Sequence, residues 1–189
     1  MNYILSDGNH REDLFPFTFT RPVSEIRVGI LTITEKWGKW LNASMSHQTE
    51  EYLSEKYPLM AGEENTVINS SYLPNEYLVE AIKNLKMGEA LIGRDGYIAY
   101  VTENLEISFE ESAYTAIPFD DEVLTIKNTW DIFSRNAEAL QADFDLVTKG
   151  RTSQPIPDTN QVKNPENIFI EEGASVEFCI LNASTGPIY

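Results

Sequence analysis

The chain has few of the residue types on which many common sites depend. Of its 189 residues, one is a cysteine, Cys179, and two are histidines, His10 and His47. A lone cysteine excludes an internal disulfide and any Cys-x-x-Cys motif. We expect its thiol to be buried and inert, because lone cysteines usually behave as small hydrophobes. The two histidines stand in unrelated contexts, so a histidine metal pair is not expected.

Long apolar runs and basic residues are also scarce. No apolar run reaches the length of a membrane span, and the N-terminus lacks the basic-then-apolar pattern of a secretory signal. The default expectation is a cytoplasmic protein with no membrane partner. The chain has 14 Lys and Arg against 30 Asp and Glu, for a net charge of −16. This charge argues against nucleic acid and anionic membranes as partners.

The acidic charge is unevenly distributed along the chain. Acids and bases balance within residues 1–40, so the remaining residues carry the whole −16. An anionic ligand would therefore be repelled least by the opening segment. The total charge has a simpler explanation, which is that an acidic surface keeps a protein soluble.

Strand and helix patterns alternate through the first 150 residues. Residues 2–6 and 66–69 are predicted strands, and Thr32-Ile33-Thr34-Glu35 is a capping box that opens a helix. Pro74 is predicted to begin a second helix, and Arg94-Asp95-Gly96 is a predicted hairpin turn. This alternation predicts an α/β domain with a mainly parallel sheet. Further elements are expected as a short helix over 50–56 and strands near 112–117 and 122–126.

The longest helix is predicted to open at Asn128 with Asp131. An apolar stripe at spacings of three and four predicts its core-facing side; the stripe comprises Trp130, Phe133, Ala137, Leu140 and Phe144. The tryptophans Trp37, Trp40 and Trp130 are interpreted in the same way, as core residues rather than a base-stacking platform.

The opening segment carries the most specific motif. A strand leads into a loop with Gly8 and Arg11, followed by a Pro16-Phe17-Thr18 turn and by Thr20-Arg21-Pro22-Val23. This order resembles the signature of sugar-phosphate nucleotidyltransferases, with a strand, a Gly-x-Gly-Thr-Arg loop, a Pro-Leu-Thr turn and a Pro-Lys pair. The run from Phe17 to Trp37 is also similar to bacterial proteins related to N-acetylglucosamine-1-phosphate uridyltransferase/acetyltransferase. In those proteins a degenerate nucleotidyltransferase domain precedes a left-handed β-helix.

The resemblance implies a Rossmann-like nucleotidyltransferase domain over residues 1–150, with nucleotide and sugar phosphate as ligands. Arg11 is the predicted catalytic contact to the triphosphate, and Gly8, Arg11 and Arg21 are the predicted phosphate-binding residues. Each has a plainer alternative. Arg11 could be a surface ion-pair residue, Arg21 could pair with Glu25, and Gly8 could serve only as a turn residue.

Departures from the family pattern bear on the metal. The family places a Mg²⁺-binding aspartate after an inner strand, and Asn69, a weaker neutral ligand, stands at that position here. The lysine expected after Pro22 is Val23. Asp120-Asp121-Glu122 supplies carboxylates, although a run of charge in a loop is usually solvated. The resemblance thus implies Mg²⁺, but the sequence lacks the family's carboxylate at Asn69 and does not identify the metal ligands.

The composition and the residue periodicity of the sequence change after Gly150. Prolines among polar residues predict a linker over 151–165. The six-residue spacing of Ile170 and Val176 predicts the first coil of a truncated β-helix over 166–189, packed by these residues and Ile180. The resemblance makes this coil left-handed. A lone coil leaves an uncovered edge, so we expect the chain to be a fragment that either self-associates through residues 168–189 or is disordered there.

Two functions follow from these observations. One is a sugar-1-phosphate nucleotidyltransferase, with uridine or thymidine triphosphate as the donor. The other is a catalytically degenerate domain that binds a sugar nucleotide or caps a β-helix acyltransferase. The missing lysine and aspartate favour the second function, and the family resemblance favours the first.

Overall fold

A six-stranded sheet lies at the centre of the computed structural model, which describes residues 2–189. Its strands are β1 (Asn2–Ser6), β2 (Met45–Gln48), β3 (Asn65–Asn69), β4 (Glu89–Gly93), β5 (Gly96–Thr102) and β6 (Thr115–Pro118). The strand order is β2-β1-β3-β5-β4-β6. The pairs β1–β2, β1–β3 and β4–β6 are parallel, whereas β5 runs antiparallel to β3 and β4. The predicted α/β fold with a mostly parallel sheet is confirmed.

Four helices accompany the sheet: α1 (Ile33–Leu41), α2 (Glu76–Lys83), α3 (Thr129–Ser134) and α4 (Asn136–Thr148). The predicted capping box opens α1, because the Glu35 N–H donates to Thr32 Oγ1 at 3.2 Å and the Thr32 N–H donates to Glu35 Oε2 at 2.7 Å. Helix α2 begins after Pro74, where the Asn75 side chain accepts from the Leu78 N–H at 2.8 Å. At both helix N-termini, side chains thus accept hydrogen bonds from backbone N–H groups that would otherwise be unpaired.

The two faces of the sheet are covered differently. Successive side chains of a strand point to opposite faces, so Leu5 joins the core cluster with Trp37 of α1 and Ile82 of α2. Ile4 faces the other side, where it belongs to a smaller cluster with Tyr100. That second cluster is closed by residues between β5 and β6, namely Leu105, Phe109 and Tyr114. Because both faces are covered, β1, β3 and β5 are buried along almost their whole length.

The prediction of one long helix with an aromatic stripe is wrong. Arg135 separates α3 from α4, and Trp130 and Phe133 are 66% and 88% exposed. The positions that α4 buries are Ala139, Asp143 and Val147. Because the helix is interrupted at Arg135, the apolar residues before and after this position do not share one helical face. Trp37 is fully buried as predicted, and Trp40 is half-buried.

Two other predicted elements are shorter than expected. The helix expected over 50–56 is a 3₁₀ turn at Glu51–Leu53. The strand expected near 122–126 is reduced to an isolated bridge between Thr125 and Tyr72. The hairpin at Arg94-Asp95 is confirmed, since it joins β4 to β5.

The C-terminal segment forms a second, two-stranded sheet. Strands β7 (Gln161–Lys163) and β8 (Ile180–Asn182) pair in parallel, and Ile168 bridges Ile188 in the same sense. Strand β7 lies within the residues that the sequence analysis assigned to a linker. A separate apolar cluster holds this segment together, made of Ile168, Ile170 and Ala183 with Ile156, Val176, Leu181 and Ile188 around them.

Two sequence-based expectations about side chains in this segment are wrong. Ile180 is 79% exposed, because strand alternation turns Leu181, rather than Ile180, toward the cluster. Cys179 is also exposed, and its thiol donates to the Glu177 carbonyl at 3.1 Å.

Within residues 2–189, no helix is both long and apolar enough to cross a bilayer.

Candidate functional site

Several strands end at one edge of the central sheet. Because β1, β3 and β4 present their carboxyl ends there, this edge collects the loop after Ser6, the bend after Asn69 and the hairpin turn after Gly93. In open α/β sheets, ligands bind in the crevice outside such strand ends. The predicted site residues and a crevice of about 550 Å³ lie along this edge.

Arg11 is the last residue of the loop that follows β1. It is 8% exposed, and its Nη1 donates to Asp7 Oδ2 at 2.7 Å. Nη2 donates to the Thr18 carbonyl and to the Tyr52 hydroxyl, the latter at 2.8 Å. Protein acceptors therefore surround the guanidinium, which forms a buried ion pair instead of the surface pair considered from the sequence.

Asp7 completes this buried arrangement. Its Oδ1 accepts from the Val23 N–H at 2.7 Å, and Oδ2 also accepts from the Thr49 hydroxyl. A carboxylate held by a guanidinium and by backbone and hydroxyl donors has its lone pairs satisfied, as a buried charge requires. The pair thus ties the loop after β1 to the segment that begins at Pro22 and to the end of β2.

Gly8 and Asn69 are brought together. Gly8 has φ +60°, and a Cβ there would lie 2.4 Å from Asn69 Oδ1. Asn69 Oδ1 accepts from the Ser71 N–H at 3.0 Å, and its Nδ2 donates to the Tyr97 carbonyl at 3.3 Å. Only a glycine allows this close approach in this backbone conformation. Gly8 is therefore a turn residue packed on Asn69, and a phosphate-binding role for it stays a prediction.

Arg21 is placed differently from Arg11. Its side chain is exposed and forms no ion pair with any of residues 2–189, so the pairing with Glu25 considered from the sequence is not formed. The Arg21 carbonyl lies 3.5 Å from Arg11 Nη1. Arg21 is thus near the buried pair and keeps its guanidinium available to an anionic ligand.

The crevice lies between the β4–β5 turn and the segment after β6. It is lined by Tyr72, Gly93, Arg94, Asp95, Ile98, Phe119, Asp120, Asp121, Glu122, Val123, Leu124, Thr125, Arg135 and Glu138. Asp95 binds Lys127, and Arg135 lies 3.6 Å from Glu138. In the part of the chain that the structure describes, the side chains of Asp120, Asp121 and Glu122 have neither an ion pair nor a hydrogen bond.

Electrostatics link the crevice to the loop after β1. The hydrogen bond from Lys127 is the main cause of the lowered pKa of Asp95, and His10 of the loop adds a smaller contribution in the same direction. Tyr72 is 6% exposed, and burial, reinforced by Asp95, raises its pKa to about 12. Tyr72 is therefore a neutral phenol that can donate a hydrogen bond at physiological pH.

The residues at the family's metal position do not fit Mg²⁺. Asn69 supplies an amide rather than a carboxylate, and its oxygen already accepts a backbone hydrogen bond. Among residues 2–189, no three His, Cys, Asp or Glu side chains converge as a set of metal ligands. Mg²⁺ favours hard carboxylate oxygens, so the chemistry below includes no step through a metal at Asn69.

Sequence patterns did not identify three candidate site residues of the crevice, Tyr72, Arg94 and Phe119. Arg94 was interpreted only as part of a hairpin turn, although a hairpin that follows β4 must turn at the edge where β3 ends. Tyr72 follows β3 by three residues, at the same edge. Topology therefore contained a signal for both residues, whereas the position of Phe119 depends on the pairing of β6 with β4.

Two further buried polar pairs have structural roles. Lys36 of α1 binds Asp143 of α4, and Asp143 Oδ2 also accepts from the Ile30 and Leu31 N–H groups at 2.8 and 3.0 Å. Burial lowers the pKa of Lys36, and Asp143 opposes this shift. Ser24 Oγ lies 2.9 Å from His47 Nδ1, but Ser24 is completely buried and cannot meet a substrate.

Comparisons with known proteins identify the family of the chain. A family model described as sugar nucleotidyl transferase matches residues 3–152. One solved structure is that of a protein provisionally assigned as a glucose-1-phosphate thymidylyltransferase from Bacillus anthracis, in complex with a sucrose. It matches with 10% identity and a TM-score of 0.47 over 74% of this chain and 95% of that one. No curated protein matches the chain. Because the family model covers most of the chain, including every strand of the central sheet from Tyr3 onward, the chain belongs to the sugar nucleotidyl transferase family.

Proposed function

We propose that this protein is a sugar-1-phosphate nucleotidyltransferase. It joins the nucleoside monophosphate of a nucleoside triphosphate to a sugar 1-phosphate and releases pyrophosphate. The observation that carries the proposal is the crevice of about 550 Å³ at the carboxyl edge of the sheet, within the residues that the family model matches. Uridine or thymidine triphosphate is the proposed donor, as the sequence resemblance implies.

The reaction requires positioning more than covalent chemistry. A phosphate oxygen of the sugar 1-phosphate attacks the α-phosphorus of the triphosphate and forms a new P–O bond. The bond from that phosphorus to the bridging oxygen breaks, and its electron pair leaves with pyrophosphate. Alignment and charge stabilisation supply most of the catalysis in such transfers.

Two arginines are the proposed phosphate contacts. Arg94 lines the crevice and Arg21 lies near the loop after β1, and neither forms an ion pair within residues 2–189. A guanidinium presents a planar fork of donors that matches phosphate oxygens. Arg11 contributes indirectly in this proposal, because its ion pair with Asp7 holds the loop on which Gly8 lies.

A second candidate function is supported by specific contacts. The guanidinium of Arg11 donates hydrogen bonds to acceptors within the protein, and Asn69 stands where the family has a carboxylate. Both features fit a domain that binds a sugar nucleotide without turning it over. The parallel pairing of β7 with β8 is compatible with the β-helix that such a domain would cap.

A pyrophosphate-release assay separates the two candidates. Uridine and thymidine triphosphates are each combined with several sugar 1-phosphates in the presence of Mg²⁺. We expect release with at least one combination, and we expect Arg94→Ala to lower kcat/KM by about 10- to 100-fold, since a hydrogen bond to a charged group contributes about 1.5–3 kcal/mol.

The matched control is Lys39→Ala, which removes an exposed cation of α1 outside the crevice and should leave the rate unchanged. If no combination releases pyrophosphate while the same nucleotides raise the melting temperature, the binding function replaces the enzymatic one.

A further inference from the structure

A groove of about 900 Å³, separate from the crevice, lies between helices α3 and α4 and the C-terminal segment. Ile132, Phe133 and Leu140 line it on the helical side, and residues 185–188 line it on the other side. Phe17, from the turn that follows the opening loop, also lines the groove. The groove shares no lining residue with the crevice, and the proposed reaction does not use it.

No residue that lines the groove carries a charge. In a chain that is 23% charged, about three of the thirteen lining residues would be expected to be charged. The lining therefore offers no cation to the phosphates of a nucleic acid or to an anionic membrane. A second acidic protein surface can cover it without placing like charges opposite each other, even though the chain carries a net charge of −16.

Large apolar side chains flank the groove and are exposed to solvent. Phe133 is 88% exposed, and Trp130, three residues before it on α3, is 66% exposed. On the other side, Ile180 is 79% exposed and lies on the same face of β8 as Asn182, which lines the groove. Phe178, just before β8, is 82% exposed. The groove and these four exposed side chains together form the α3–β8 face.

The area of the α3–β8 face is close to that of a protein–protein interface. Since an aromatic side chain buries about 150–250 Å², the exposed fractions of Phe17, Trp130, Phe133 and Phe178 amount to roughly 600 Å². Ile180 and the groove walls bring the face near the value of about 800 Å² that each partner buries in a stable complex. Monomeric proteins rarely expose a continuous apolar patch of this size.

We propose that the α3–β8 face is the interface of a symmetric dimer, in which a second copy of this chain covers the groove. In a two-fold dimer the same patch meets itself, so Phe133 of each copy enters the groove of the other. The interface needs both α3 and the C-terminal segment, because each provides one side of the face. This inference is independent of the proposed function, since the face contains no residue of the crevice.

Sedimentation velocity of the full chain, from micromolar to submillimolar concentration, tests the proposal. A reductant is included because the exposed thiol of Cys179 lies between Phe178 and Ile180 and would otherwise cross-link two copies. We expect a reversible monomer–dimer equilibrium. High salt should leave it unchanged or strengthen it, because salt screens the repulsion between two chains of net charge −16. A monomer at every concentration would overturn the proposal.

Three substitutions assign the dimer to this face. Phe133→Asp should raise the dissociation constant by about 30-fold or more, the effect of losing a central interface residue, while its exposure leaves the folded monomer intact. Ile180→Asp tests the other side of the groove and should also weaken the dimer. The matched control is Tyr77→Asp, which places the same charge at a 67% exposed aromatic residue of α2 and should dimerise as the parent chain does. A dimer that persists in the Phe133 variant, or one that is lost in the Tyr77 control, would contradict the assignment.

Discussion

At the scale of single residues, the buried ion pair between Asp7 and Arg11 fixes the loop that follows β1 at the carboxyl edge of the sheet. Asp7 and Arg11 are both almost fully buried, and each is satisfied by the other together with backbone and hydroxyl groups. Removing one partner of such a pair leaves an uncompensated charge, which costs more than the pair contributes when intact. Arg11 is thus a residue whose main effect is on the stability of the loop.

Arg11→Ala is expected to reduce the free energy of unfolding by about 3–5 kcal/mol, because it strands the Asp7 carboxylate in a buried position. Urea denaturation measures the loss. Arg21→Ala is the matched control, and as an exposed, unpaired position it should change stability by less than about 0.5 kcal/mol. Equal stabilities of the two variants would mean that the Arg11 guanidinium is free for a ligand.

His47 gives the protein a pH-dependent contribution to stability. Burial lowers its pKa, against smaller opposing effects of Glu25 and Asp7. The unfolded chain, with a histidine pKa of about 6.5, therefore binds the proton first as the pH falls. Stability that His47 provides at neutral pH is lost as the pH drops below that value.

Comparing the parent chain with His47→Gln isolates this contribution. The unfolding free energy of the parent should fall more steeply between about pH 7 and pH 5 than that of the variant. Identical slopes would show that His47 titrates in the folded protein as it does in the unfolded chain.

At the scale of elements, one close contact docks α4 onto the domain. Gly29 has φ +79°, and a Cβ there would lie 2.6 Å from Asp143 Oδ2 and 2.8 Å from the Ala139 backbone carbon. The same carboxylate binds Lys36 of α1, so the contact joins both helices to the segment before α1. This arrangement explains why α4 buries Asp143, a residue that an apolar stripe would not include.

Gly29→Ala is expected to destabilise the protein by about 1–3 kcal/mol more than Gly88→Ala, as judged by urea denaturation. Both glycines have positive φ, so both variants incur the cost of a left-handed backbone. Only Gly29 is crowded, whereas nothing lies within 4 Å of a Cβ on Gly88. Similar losses in the two variants would show that α4 can shift to accommodate the added methyl group.

Local patterns allowed some elements to be predicted and left others undetermined. The capping box at Thr32 and the hairpin at Arg94 depend on neighbouring residues, and both were predicted from the sequence. The end of α3 at Arg135 and the exposure of Phe133 depend on how distant segments pack, which a helical period does not encode. For the same reason, the sequence placed Arg11 in the opening loop without showing that Asp7, Thr18 and Tyr52 enclose it.

At the scale of the whole molecule, the main apolar core of the α/β domain and the C-terminal apolar cluster are separated along the chain. The main core draws on residues up to Ala139, and the C-terminal cluster begins at Ile156. Phe178 and Ile180 of the C-terminal segment are exposed, on strand β8 or just before it. We propose that residues 1–150 form a self-sufficient domain and that self-association, where it occurs, uses the segment after it.

Deleting all residues after Gly150 tests this division. The deleted cluster shares no buried residue with the main core. Residues 1–150 should therefore still unfold cooperatively in urea and should have the molar mass of a monomer by light scattering. Loss of cooperative unfolding would show that the C-terminal segment is integral to the α/β domain.

We propose that nucleotidyl transfer takes place in the crevice at the carboxyl edge of the sheet. The most direct measurement is a crystal structure of the protein soaked with a nucleoside triphosphate and a sugar 1-phosphate. We predict that the sugar phosphate lies in the crevice, with its phosphate on Arg94, and that the triphosphate lies along the loop that holds Gly8. Ligands bound elsewhere, for example in the groove of about 900 Å³ that Phe133 and Ile188 line, would contradict the account.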